Sequence, residues 1–313
     1  MNEYRGKHSS QLPWGVSSTA SSSRYRPRHS PRNRHRIRRR ILLALLLFII
    51  LAYPFTEARI LQVDQINLTS SDLPSDIGHL RIVFLSDVHY GFFFTEGQVN
   101  SLVARINALK PDIVLFGGDI GNTPDDAISF YRRISSLHAR YAMLGVLGEA
   151  DHGESDLECT MVTDAMREAG ITPLVNDLVP VRVGTSIIYV LGLDDVRMGK
   201  PTLTSLAART SADNFVLFLC HNPSIISESQ RVEDNSGRLG WFDLALFGHT
   251  HGGQIALFSD LLNIAGDVDD HYLRGLFTEN RSNLLVSNGV GTAVLPARFL
   301  RPPQIHCIDL SRP

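Results

Sequence analysis

Five short apolar runs each end in side chains able to hold a metal ion. LRIVFL (Leu80–Leu85) runs into SDVHYG, presenting Asp87 and His89, and PDIVLF (Pro111–Phe116) runs into GGDIGN, presenting Asp119. YAMLGVL (Tyr141–Leu147) leads to GEADHG with Glu149, Asp151 and His152, and FVLFLC (Phe215–Cys220) leads to His221 and Asn222. DLALF (Asp243–Phe247) is followed by GHTHGGQ, with His249 and His251. Taken singly, an acid after a strand is more often a helix cap or turn residue than a ligand. Five runs delivering His, Asp or Glu at the same end reverse that reading. Asp87 and His89 are two residues apart, as are His249 and His251, so in extended backbone each pair faces one side. Four of these histidines and three of the acids already exceed the needs of one ion, and a bridging carboxylate such as Asp119 would let two cations sit about 3.5–4 Å apart.

Such a set needs a scaffold that gathers strand ends. The chain alternates short Val, Ile, Leu and Phe runs with helical periodicity, the signature of an α/β fold. In α/β sheets ligands bind beyond the carboxyl ends of the strands, where loops converge. Glycines at 91, 117, 118, 148, 248, 252 and 253 permit the tight or left-handed backbone that brings those loops close. From about residue 60 onward no internal repeat or long linker interrupts the chain, so residues 60–313 read as one domain.

Composition narrows the classes further. With 43% hydrophobic, 8% aromatic and 20% charged residues in 313, collagen-like, disordered and multi-span membrane chains are excluded. Cys159, Cys220 and Cys307 form no CxxC pair, which excludes a disulfide scaffold and a cysteine-built zinc finger. No GxSxG appears to suggest a covalent nucleophile.

The net charge of −2 hides a division. Residues 1–56 hold eleven basic side chains against Glu3 alone, so that segment carries +10 and the remainder −12. Residues 1–40, rich in Ser, Arg, Pro and His, read as a disordered basic arm. Ile41–Thr56 follows without a formal charge and reads as a transmembrane anchor or an uncleaved export signal. At about 1.5 Å per residue it reaches roughly 24 Å, short of a ~30 Å hydrocarbon core, although arginines at one end can snorkel. Because the cations lie N-terminal to this run, a single pass leaves the acidic body outside the cytoplasm. A specific nucleic-acid partner is not expected for the basic arm, since the folded acidic body beside it would repel a polyanion.

The blocks SDVHYG, GGDIG, GEADH, CHNP and GHTHGGQ, in this order over residues 86–254, resemble the calcineurin-like metallophosphoesterases, and the tail VSNGVGTAVLPARFLRPPQIHCIDL resembles the membrane-associated bacterial branch that carries GHTHGGQ. Some members of that branch cleave the pyrophosphate of UDP-2,3-diacylglucosamine. The resemblance implies a four-layer α/β/β/α sandwich of two mixed sheets with a dinuclear metal site at the strand ends. It implies one metal on Asp87, His89, Asp119 and His251, and a second on Asp119, Glu149, His221 and His249. The implied reaction is in-line attack of a metal-bridging hydroxide on phosphorus, with a phosphorylated small molecule or a lipid-linked envelope compound as substrate.

One block departs from the pattern. Glu149 stands where the family has asparagine, which favours hard ions such as Mn²⁺ or Mg²⁺, with Zn²⁺ and Fe²⁺ as alternatives. Ala150 stands where the family has a histidine that assists the leaving group. Three answers stay open: His152 substitutes as a catalytic residue, a metal-bound water protonates the leaving oxygen, or the chain is a catalytically weakened metal- and phosphate-binding scaffold or sensor at the membrane. A leaving group that is itself a phosphate suffers least from the loss. Asn122 and Asn222 read as phosphate donors or, more commonly, turn formers, and Phe92–Phe94 as an acyl-chain or bilayer contact or as packing under a lid.

Overall fold

In the computed structural model residues 31–256 and 266–313 are described; most of the basic arm, residues 1–30, lies outside the described residues. Helix α1 spans Pro31–Glu57 and contains a 23-residue stretch, His35–Glu57, long and apolar enough to cross a membrane. It starts before Ile41, so Arg36 and Arg38–Arg40, assigned to the arm by sequence, are helical. Arginine is a good helix former, and extending an existing helix costs far less than nucleating one. The longer stretch, at about 1.5 Å per residue, is roughly 34 Å long, but it gains that length from His35, the arginines and Glu57, so the uncharged run itself is no longer than the sequence showed. Among the described residues, those from 49 onward form one unit and 31–48 belong to another.

Two six-stranded sheets build the body. The first comprises β1 (Gln62–Thr69), β2 (His79–Leu85), β3 (Ile113–Phe116), β4 (Ala142–Gly145), β5 (Thr172–Pro173) and β12 (Gln304–Ser311), in the order β1-β12-β2-β3-β4-β5. The second comprises β6 (Asp177–Val183), β7 (Ser186–Gly192), β8 (Val216–Leu219), β9 (Leu244–Phe247), β10 (Gly275–Glu279) and β11 (Ser282–Val286), ordered β10-β11-β9-β8-β7-β6. Each is mixed: β2, β3 and β4 run parallel while β12 pairs antiparallel with β2, and β7, β8 and β9 run parallel while β6 and β10 pair antiparallel with their neighbours.

Strand alternation decides which face meets what. Leu80, Ile82 and Phe84 of β2 join Ile113 and Leu115 of β3, and Leu217 and Leu246 of the second sheet, in the core between the sheets. Val83, Leu85, Val114 and Phe116 turn outward to α2 (Glu96–Ala108), α3 (Pro124–Tyr131) and α5 (Asp156–Glu168), with the single-turn α4 (Glu149–His152) between α3 and α5 in the chain. Val99, Leu102, Val103 and Ile106 of α2 are buried at helical spacing. On the far face, α6 (Leu203–Ala207), α7 (Ile226–Ser229) and Trp241 cover Phe218 and Phe247. The result is helix, sheet, sheet, helix. All five runs singled out by sequence are central strands, and their buried bodies need no polar partner at either face.

Candidate metal centre

Past the end of β2 the backbone stays paired with the segment after β3: Asp87 N–H donates to Gly118 and His89 N–H to Asp119. The chain is not extended there. Asp87, His89, Asp119, His249 and His251 all have φ between +48° and +69°, a left-handed conformation that costs a non-glycine residue about 1–3 kcal/mol. Convergence of Asp87 with His89 therefore comes from a strained turn and not from the alternation expected of a strand. Close approach makes the turn feasible: a Cβ at Gly291 would collide with the Val88 carbonyl, and one at Gly118 would meet the Gly148 backbone.

Two triads of ligand atoms form, Asp87 with His89 and His251, and Asp87 with Asp119 and His221, each with all three atoms within 4.8 Å of one another and all residues buried. His89 Nε2 faces His251 Nε2 at 3.0 Å, with the rings stacked at 4.9 Å. Asp119 Oδ2 lies 3.3 Å from His221 Nε2 and 3.8 Å from His89 Nε2, between the triads. Asp87 Oδ2 and His221 Nε2 are buried without a hydrogen bond. Buried polar atoms of this kind are costly unless something binds them, and convergent imidazole nitrogens and carboxylates fit divalent cations. Burial opposes ionisation of Asp119, but His221, His89 and the Ala150 N–H hold its carboxyl below the usual range.

The remaining expected ligands border this core. His249 N–H donates to Asp87 Oδ1 at 2.8 Å, and its Nδ1 lies 4.0 Å from Glu149 Oε1. Glu149 is about one-third exposed, and its other oxygen pairs with Arg197 Nη1 at 2.6 Å. The extra charge that glutamate brings to an asparagine position is thus matched by a guanidinium, carried on a loop whose Arg197 and Met198 N–H groups donate to Asp195.

Outer contacts orient the rings. His221 Nδ1 lies 2.8 Å from the Gly117 carbonyl, which places a proton there and turns Nε2 toward Asp119. His249 Nε2 lies 3.2 Å from Asp267, which also accepts from Asn222 Nδ2. These two hydrogen bonds, the His249 bond first, hold the Asp267 carboxyl below its ordinary range although burial opposes them. Buried Arg298 sets Nη2 3.3 Å from His251 Nδ1 and donates to the carbonyls of Asn288, Gly291 and Arg301. Asp151 is not a ligand-side group: its carboxylate accepts the N–H groups of Ile120 and Gly121, both at 2.9 Å, and so carries the segment that presents Asp119. Burial and the charge of Asp119 push Asp151 up to about 7.

His152 is placed apart. Its Nδ1 lies 3.3 Å from the Gly153 carbonyl and its Nε2 3.5 Å from Asp194, and among the described residues no contact joins it to the ligand cluster. Asn222 accepts from Ser224 N–H while its Nδ2 is taken by Asp267, and Asn122 donates to the carbonyls of His89 and Tyr90, so both are engaged within the fold. Asp267 lay in a stretch of sequence with many polar residues but no motif, and Arg197 and Arg298 carried no spacing signal at all.

Helix-flanked paired sheets with His and Asp gathered at their carboxyl ends define an α/β protein built to hold metal. The model of the calcineurin-like phosphoesterase family matches residues 80–253, and the chain belongs to that family. The family binds two divalent metals and hydrolyses phosphoesters. The chain is 28% identical over 263 residues to a protein named uncharacterized metallophosphoesterase YkuE of Bacillus subtilis, covering 82% of this chain and 87% of that protein. It is 27% identical over 234 residues to the phosphodiesterase YaeI of Escherichia coli, covering 74% and 82%. A transmembrane protein with metallophosphoesterase domain of Bos taurus is 24% identical over 242 residues, covering 72% of this chain and 52% of that one.

Proposed function

We propose that this chain is a membrane-tethered phosphoesterase, with residues 60–313 as its catalytic domain, that cleaves a phosphoester or pyrophosphate bond of a cell-envelope or lipid-linked substrate. The carrying observation is the convergence of Asp87, His89, Asp119, His221 and His251 from both sheets into two buried triads. One ion is assigned to Asp87, His89, Asp119 and His251, and the other to Asp119, Glu149, His221 and His249. Such ions supply a Lewis-acid clamp for phosphoryl oxygens and a water of near-neutral pKa. Glutamate in place of asparagine adds an oxygen anion to the set, which favours Mn²⁺.

The chain's own residues then set the specificity. Asp119, with its Oδ2 between His221 and His89, would serve both ion sites. Arg197 holds Glu149 in place and offers its remaining N–H groups to a phosphate oxygen on the leaving side. Ala150 cannot donate a proton, and His152 has both nitrogens engaged elsewhere. A leaving group that is itself a phosphate needs no such donor, which supports a pyrophosphate bond and agrees with the branch that cleaves UDP-diacylglucosamine. The relative named phosphodiesterase supports hydrolysis of a diester. The anchor is read as a single pass of α1 with the basic arm in the cytoplasm and the catalytic domain outside it.

The test is hydrolysis of bis-p-nitrophenyl phosphate by the full-length protein with added Mn²⁺, beside Asp119→Asn. Metal-dependent turnover in the parent and its loss in the variant are expected. Full metal occupancy without turnover in the parent would favour the scaffold reading, which Ala150 alone motivates.

A further inference from the structure

Segments far apart in sequence meet where α1 ends. Glu57 is buried, and its carboxylate accepts the N–H groups of Leu300 and Arg301, both at 2.9 Å. The Pro54 carbonyl accepts Arg298 N–H at 2.9 Å, and Tyr53 packs edge-on against Phe299 with centroids 5.8 Å apart. Ala58 and Arg59, just past the helix, line a cavity of about 460 Å³ together with Phe92, Phe93, Thr292 and Pro296. The same segments expose large apolar side chains: Phe92 is 86% exposed, Val294 66%, and Ile60 and Leu300 54% each. Isolated exposed apolar residues are ordinary, whereas several brought together mark a binding surface.

We propose that this rim rests on the surface of the phospholipid bilayer that α1 enters, as a second membrane contact beside the helix. Chain continuity names the occupant, because a helix apolar enough to span a membrane ends inside the rim. Arg59 and Arg301 stand in the same segments and supply cations for anionic headgroups. The rim is also joined to the metal centre. Phe92 and Phe93 follow His89 closely, and Gly291 N–H donates to the Asp87 carbonyl at 2.7 Å. A rim seated on the bilayer holds the ligand loop near headgroup level, which suits a phosphate ester that stays in the membrane while it is cleaved. The inference rests on the reading of α1 as an anchor.

The test uses full-length protein in phosphatidylethanolamine–phosphatidylglycerol vesicles with brominated acyl chains, which quench tryptophan on contact. Phe92→Trp and Val294→Trp are compared with Leu157→Trp, an exposed position on α5 outside the rim, after subtraction of the signal of Trp14 and Trp241 in the parent. Retained two-ion metal content verifies folding, and either rim variant suffices. Quenching at positions 92 and 294 is expected to exceed that at 157 at least about twofold, because interfacial side chains reach some 5–10 Å into the acyl boundary. Equal quenching at all three positions, with the protein still in the vesicle fraction, overturns the rim alone. Protein that leaves the vesicle fraction overturns the anchor reading together with it.

Discussion

The two halves of the metal centre are built by different means. Around Asp87, His89 and His251 every ligand is buried and left-handed, and Arg298 and the Asn288–Gly291 carbonyls close the back. Around Glu149 the wall is open: the carboxylate is one-third exposed and shared with Arg197, and His249 leans on Asp267 from a separate loop. Burial and backbone strain hold the first half in one arrangement, so its geometry is dictated by the fold. In the second, Asp119, His221 and His249 are buried as well, and only Glu149 is held by a part-exposed ion pair, so charge at that one position can change without unfolding the strands beneath. On the proposed function, the first half would retain metal and the Glu149 wall would meet the substrate.

The contrast can be broken at the point the halves share. Asp119→Asn is expected to lower hydrolysis of an activated diester by about 10²–10³-fold or more, since charge stabilisation of the transition state is lost; a variant within tenfold of the parent would remove Asp119 from the centre. Next in size, His251→Ala should leave one ion per chain at any practical concentration, whereas Glu149→Gln, which keeps a ligand oxygen and loses only its charge, should still saturate with two and bind the weaker one less tightly. Calorimetric titration separates them, and equal losses would erase the distinction. Arg197→Ala should raise KM for a pyrophosphate substrate about tenfold, the worth of a charge-assisted hydrogen bond, with a smaller change for an aryl ester.

The smallest effect lies away from the ions. Burial, with a smaller push from the charge of Asp72, raises Asp243 from its ordinary 3.8 to about 7, against the Val216 N–H that it accepts. The folded form therefore holds more protons than the unfolded one between those values, and the stability contributed by this group falls as pH rises from about 4 to 7. Asp243→Asn should flatten that decline and gain about 1–3 kcal/mol relative to the parent at pH 8 compared with pH 4. Urea unfolding at the two pH values measures it, and an unchanged slope would show that Asp243 ionises freely in the fold.

The strand ends were legible because a buried parallel strand is a run of apolar residues whose first polar residues fall where the loop begins, and LRIVFL, PDIVLF and DLALF state that without help from the rest of the chain. The outer strands were not. β12 pairs with β1 across some 240 residues, and β5 has only two, so neither local periodicity nor length marks them. Asp87 and His89 were rightly paired by spacing, but alternation was the wrong reason, because side chains reach a common point here through left-handed backbone that sequence patterns do not encode. Arg197, Asp267 and Arg298 act through space on ligands 18 to 48 residues away, and an arginine or aspartate in a loop carries no trace of such a partner. The match between Glu149 and Arg197 became visible only when both ends were placed.

The most direct measurement is the number of divalent ions bound per chain, obtained by elemental analysis of the purified protein at saturating Mn²⁺, with Asp119→Asn alongside. Two ions in the parent and fewer in the variant are expected of side chains that meet around a shared carboxylate. One ion or none in the parent, or two retained by the variant with undiminished affinity, would contradict the dinuclear centre.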